Sequence, residues 1–187
     1  MKKIISVLFA LFVCMAVSAQ QHMKFMGIPL DGTIENFTLK LKTKGLTYNV
    51  AKSKALGPGA KFYDGTFMGE KATFMVFFNE KSRVVYGVLV ELPYSSVNLA
   101  YTPFVNISEQ LQKKYPKAVY EPKKDSEGDV DGVTFSIPDE NETERIGIII
   151  QSLNKSNTFF RDGWSINLMY TDIKNFRKNE AINNEDL

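Results

Sequence analysis

Residues 61–92 read KFYDGTFMGEKATFMVFFNEKSRVVYGVLVEL, and the architecture turns on how this stretch is divided. Three runs of β type, Lys61 to Met68, Ala72 to Phe78 and Arg83 to Leu92, are rich in Phe, Val, Tyr and Thr. Between them, Gly69-Glu70-Lys71 and Asn79-Glu80-Lys81-Ser82 are turn material, and connections this short join antiparallel neighbours. The stretch is a meander. Side chains alternate across a strand, so if Phe74, Val76 and Phe78 face a core, Met75 and Phe77 face away. By the same rule Tyr86, Val88 and Val90 face in, and Val85 and Leu89 face out with Gly87 and Glu91.

Upstream, DGTIENFTLKLKTKG (31–45) predicts a helix over 34–44. Ile34, Phe37 and Leu41 fall on one face, Thr33 suits the N-cap, and Glu35 early with Lys40, Lys42 and Lys44 late suits the helix dipole. Gly45 ends it. Leu46 to Val50 reads as a short strand and Gly57-Pro58-Gly59 as a turn. Downstream, Val97, Tyr101, Phe104, Ser108, Leu111 and Tyr115 keep close to the helical period, and Pro116 stops that helix. Pro103 either opens it after a Thr102 cap or kinks it. A polar connection, EPKKDSEGDVDG (121–132), leads to strands near Val133 to Ile137, Arg145 to Ser152 and Trp164 to Tyr170. In the second of these Ile146, Ile148 and Ile150 share one side and Ile149 takes the other; Trp164 is in phase with Ile166 and Leu168 and reads as core.

The expected class is therefore α+β: two tandem helix-plus-antiparallel-meander repeats, 20–94 and 95–172, forming one sheet with two helices on one face. Residues 173–187 are expected as a polar tail, with one or two helical turns at its start and disorder beyond. Residues 1–19 read as a signal peptide, with Lys2-Lys3, an apolar run from Ile4 to Val17 and small residues ending at Ala19. That places the protein in the periplasm or outside the cell. Cys14, the only cysteine, would leave with this leader; Val13 before it is not the small residue that lipid attachment requires. No later run is long enough to span a bilayer.

Composition narrows the chemistry. The chain has 23 Lys and Arg against 21 Asp and Glu, and loss of Lys2 and Lys3 leaves 21 of each. A neutral chain lacks the cationic surplus that nucleic acid demands. Without cysteine and with His22 alone, expected in a mobile end, Cys-His pairs and Cys/His zinc sites are excluded and a Ser-His-Asp triad has no other base. GTFMGEKA (65–72) has the wrong glycine spacing for a phosphate loop, and Ala72 stands where Ser or Thr should hold magnesium. DSEGDVDG (125–132) has alternating acidic positions like a calcium loop, but the closing carboxylate is missing, since Pro138 occupies its place. PDENETE (138–144) reads as a charged connection. No catalytic residue, metal site or cofactor is assigned.

The apolar residues on the outward side remain to be explained. Phe62, Met75, Phe77, Leu89, Ile149 and Met169 are expected to form an apolar patch on the helix-free face, and such patches mark partner contacts, the alternatives being a different strand register or a terminal segment or second copy that covers the face.

FMGIPLDGTIENFTLKLKTKGL (25–46), GTFMGEKATFMVFF (65–78) and RVVYGVLVEL (83–92) together resemble a group of secreted proteins of Gram-negative gut bacteria, the G-I-P-x-D-G lead being the most specific part. The tandem plan is similar, in architecture alone, to the β-lactamase inhibitor protein and to the SmpA/OmlA-like lipoproteins of outer-membrane assembly. The inhibitor's disulfides are absent. This resemblance implies a sheet surface that binds other proteins, and it transfers no individual residue. The sequence thus points to an exported, non-enzymatic binding protein whose sheet face contacts a protein or cell-envelope partner. The alternatives are a carboxylate-dependent hydrolase built on the acidic loops and a structural envelope component that buries the patch as a homodimer.

Overall fold

The computed structural model describes residues 22–124, 130–138, 143–153 and 163–184. The expected leader 1–19, the acidic residues 125–129 and most of the expected charged connection 138–144 lie outside the described residues. Fourteen elements succeed one another: β1 (Lys24–Phe25), β2 (Ile28–Pro29), α1 (Ile34–Thr43), β3 (Thr47–Tyr48), α2 (Val50–Leu56), β4 (Ala60–Phe67), β5 (Glu70–Phe78), β6 (Val85–Tyr94), α3 (Val97–Lys114), β7 (Val119–Lys124), β8 (Val130–Pro138), β9 (Thr143–Leu153), β10 (Gly163–Thr171) and α4 (Ile173–Asn184). The class is α+β, as expected.

Strands β3 to β10 form one antiparallel sheet in the order β3-β4-β5-β6-β10-β9-β8-β7, while β1 and β2 make a separate hairpin. Each half of the chain contributes a meander, and the two meet where β6 lies beside β10, with Leu89 opposite Met169 and Val90 opposite Leu168.

The core lies between one face of this sheet and α1 with α3. From α1 come Ile34, Phe37 and Leu41; from α3 come Ala100, Phe104, Ile107 and Leu111; the sheet adds Phe74, Val76, Val88, Val90, Ile166 and Leu168, all buried. Each of the larger aliphatic or aromatic side chains contributes about 2 kcal/mol when fully buried. The stripe on α3 differs from the one expected. Val97 and Tyr101 are exposed, because the helix, capped by Ser96 and with Pro103 in its interior, turns Ala100, Phe104, Ile107 and Leu111 to the sheet, a stripe one position out of phase with Val97 and Tyr101.

Four segments depart from the sequence reading. The N-terminal stretch folds into the β1–β2 hairpin and buries Met23, Phe25 and Leu30 in the core. Helix α2 comes directly after β3: Asn49 Oδ1 accepts from Lys52 N (3.0 Å), and Ser53 Oγ donates to Asn49 O while accepting from Phe62 N (2.7 and 2.9 Å). Strand β7 occupies part of the expected polar connection as an exposed edge. The expected polar tail is helix α4 over residues 173–184.

Both two-residue hairpin turns carry the same tripeptide, Phe25-Met26-Gly27 and Phe67-Met68-Gly69. Positive φ at both central residues, 49° and 79° in the first and 54° and 87° in the second, gives the primed turn that matches strand twist. A methionine held there costs about 1 kcal/mol that glycine would avoid.

Candidate functional site

The register sets the six patch residues on the sheet face opposite α1 and α3. Phe62 pairs with Met75, Met75 with Leu89, and Leu89 with Met169, so four of them form one unbroken row across β4, β5, β6 and β10. Phe77 lies in the next row, opposite Gly87; Ile149 lies in the row on the other side, opposite Asn167, and its side chain is outside the described residues.

The face is not helix-free, and the patch is less open than expected. Helix α2 covers the β4 end, where Phe62 is 1% exposed, and α4 reaches the Phe77 end. Met75, Phe77, Leu89 and Met169 are half-buried. A second departure explains how α4 attaches. A bulge between Phe77 and Phe78 shifts the pairing so that Phe78 opposes Val85, and Val85 enters the core. Tyr86 then stacks on Phe77 (6.2 Å) and takes the edge of Phe176 from α4 (5.8 Å).

The result is a groove of about 490 Å³. Met75, Phe77 and Tyr86 line it together with Leu56 and Pro58 from the end of α2 and Asn179 of α4. Beside it lies Gly87, where a Cβ would come within 2.8 Å of the Met169 methyl and displace that flexible side chain.

A polar row runs alongside. Asp64, Thr73, Glu91 and Asn167 stand opposite one another on β4, β5, β6 and β10. Lys52 of α2 donates to Thr73 Oγ1 (3.2 Å) and lies 3.7 Å from Asp64 Oδ1, while Asn49 Nδ2 donates to Asp64 Oδ2 (2.6 Å). Glu91 is 7% exposed, and burial pushes its carboxyl up to about 7, with Lys52 pulling the other way. Asn167 Nδ2 donates to the fully buried Ser165 Oγ (2.8 Å). The sequence marks neither Glu91 nor Tyr86 as a site residue. Outward phase is readable for Glu91, but the bulge that brings Tyr86 to this face has no compositional signature.

His22 is held, contrary to the mobile end expected. Its Nδ1 lies 2.8 Å from Asp172 Oδ2, which also accepts from Met23 N (3.0 Å), while Asp172 Oδ1 caps α4 by accepting from Asn175 N (2.9 Å). Asn175 in turn donates to the carbonyls of Leu30 and Val85. This clasp ties the segment before β1 to the start of α4 and presents no nucleophile. Among the described residues no group of three or more His, Cys, Asp or Glu could hold a metal, and no helix is long and apolar enough to cross a membrane.

No protein-family model, curated protein or solved structure matches the chain.

Proposed function

We propose that this is an exported, non-enzymatic binding protein that receives an apolar segment of a protein or cell-envelope partner in the groove between α2 and α4. The observation that carries the reading is the row Phe62–Met75–Leu89–Met169. It is anchored at Phe62, while Met75, Leu89 and Met169 are half-buried, and Met75 carries the row into a groove lined also by Phe77, Tyr86 and, at its rim, Glu80 and Lys81. Methionine adapts its shape at low cost, which suits a contact surface.

Capture from envelope extract tests this. The double variant Met75→Asp/Met169→Asp should lose the captured partner while melting cooperatively, and Leu39→Asp, on the exposed side of α1, should keep it. Equal recovery by a folded double variant would remove the groove as the site. The acidic loops expected to serve a hydrolase lie largely outside the described residues; among those described, the carboxyl that would serve one is Glu91, buried and sharing a row with Asp64. A hydrolytic activity abolished by Glu91→Gln would replace the binding reading.

A further inference from the structure

A second concavity lies on the opposite side of the sheet, where the tips of the two Phe-Met-Gly hairpins meet α3. Phe25 and Phe67 stack face to face (6.2 Å, 8°), which brings the two turns side by side. Met26 and Met68 both line a cleft of about 550 Å³, within the range of small-molecule sites. Its apolar lining continues into Ile107 and Leu111 of α3 and Leu168 and Tyr170 of β10. Lys113 and Lys114, from the last turn of α3, stand at the same cleft, and no acidic side chain is among the described residues that line it.

Two independent features mark this cleft as more than a packing defect. The first is conformational. Asn, Asp or Gly fits the first central position of a primed turn, yet both turns place a methionine there in the left-handed region, and both methionines line one cavity. Met68 remains 47% exposed, so core packing does not account for it. The second is charge. Lys113 and Lys114 both line the apolar cavity, the Lys114 ammonium lying over the Tyr115 ring (5.0 Å), and with no carboxylate among the described lining residues they complement a ligand that is oily along its length and anionic at one end.

We infer that this cleft binds a single acyl chain bearing a carboxylate, a free long-chain fatty acid, with the chain against Met26, Met68, Leu111 and Leu168 and the carboxylate at Lys113 and Lys114. The flexible methionines accommodate chains of different length and unsaturation. This site is separate from the groove proposed above, and neither depends on the other.

Titration calorimetry of the purified protein with dodecanoate, kept below its critical micelle concentration, tests the inference. Octanoate, decanoate and dodecanoate should bind progressively more tightly, by up to about fourfold per methylene. Dodecyltrimethylammonium, with the same tail and the opposite charge, should bind at least about tenfold more weakly than dodecanoate. Lys113→Glu/Lys114→Glu changes two exposed side chains and should reverse that preference. Met68→Asn suits its turn better than the native residue and leaves Met26, which packs on the core, in place, so it should raise the melting midpoint while weakening dodecanoate at least about tenfold. Absence of dodecanoate binding, indifference to head-group charge, or unchanged affinity in the folded Met→Asn variant would each overturn the proposal.

Discussion

Glu91 holds its proton more tightly in the folded protein than in the unfolded chain, because burial raises its pKa from 4.5 to about 7. Its effect on stability has a definite direction. Folding is favoured by this group below about pH 4.5, the advantage declines as pH rises toward about 7, and above that the cost of a buried carboxylate is constant. Glu91→Gln should therefore leave stability at pH 4 nearly unchanged and raise it at pH 8 by up to about 3 kcal/mol, as urea unfolding at the two pH values will show. Asp172 acts through its hydrogen bonds. Asp172→Ala removes the α4 cap and leaves the amides of Met23 and Asn175 without their acceptor, with a loss of about 3 kcal/mol expected in the same experiment. Neither role is written in the local sequence, since Glu91 meets the charge of Lys52 only across the folded sheet and Asp172 finds its histidine partner 150 positions away.

Among the elements, the legible ones are those that keep a period. Helix α1 announces itself through Ile34, Phe37 and Leu41, and β5 and β6 through β-type composition between short turns; the row Phe62–Met75–Leu89–Met169 is recoverable because the register is regular on that side of the bulge. Beyond Phe77 the same alternation puts Val85 on the wrong face, since one extra residue inverts every assignment on its far side. Helix α2 is invisible for another reason. Its seven residues are shorter than the window in which a stripe can be recognised, and side-chain bonds through Asn49 and Ser53 hold it in place. Helix α4 reads as a tail because polar contacts from Asp172, Asn175 and Asn179 attach it, with Phe176 as its main apolar contact to the sheet. A chain ending at Asp172 should test this sharply. A solvated tail would be lost without effect, whereas loss of α4 uncovers Tyr86 and frees the carbonyls of Leu30 and Val85, so the melting midpoint should fall by several degrees.

At the scale of the whole molecule, the sheet decides which contacts with other chains remain open. Its two edges are poor templates. On one side β3 is only two residues long; on the other β7 is exposed throughout but carries Pro122, Lys123 and Lys124, which withhold a backbone donor and add like charges along the edge. Self-association by strand pairing is thereby discouraged, which leaves the groove face as the route by which two copies could join. Light scattering over a wide concentration range separates the cases: a constant monomer mass is expected if the groove is kept for a different partner. A mass that climbs with concentration and returns to monomer in Met75→Asp/Met169→Asp would instead assign the groove to a second copy of this chain. Replacing the edge signals, as in Pro122→Thr/Lys123→Val/Lys124→Thr, should produce association that the groove variant does not reverse, because a row of unpaired backbone groups on β7 would then be free to extend the sheet.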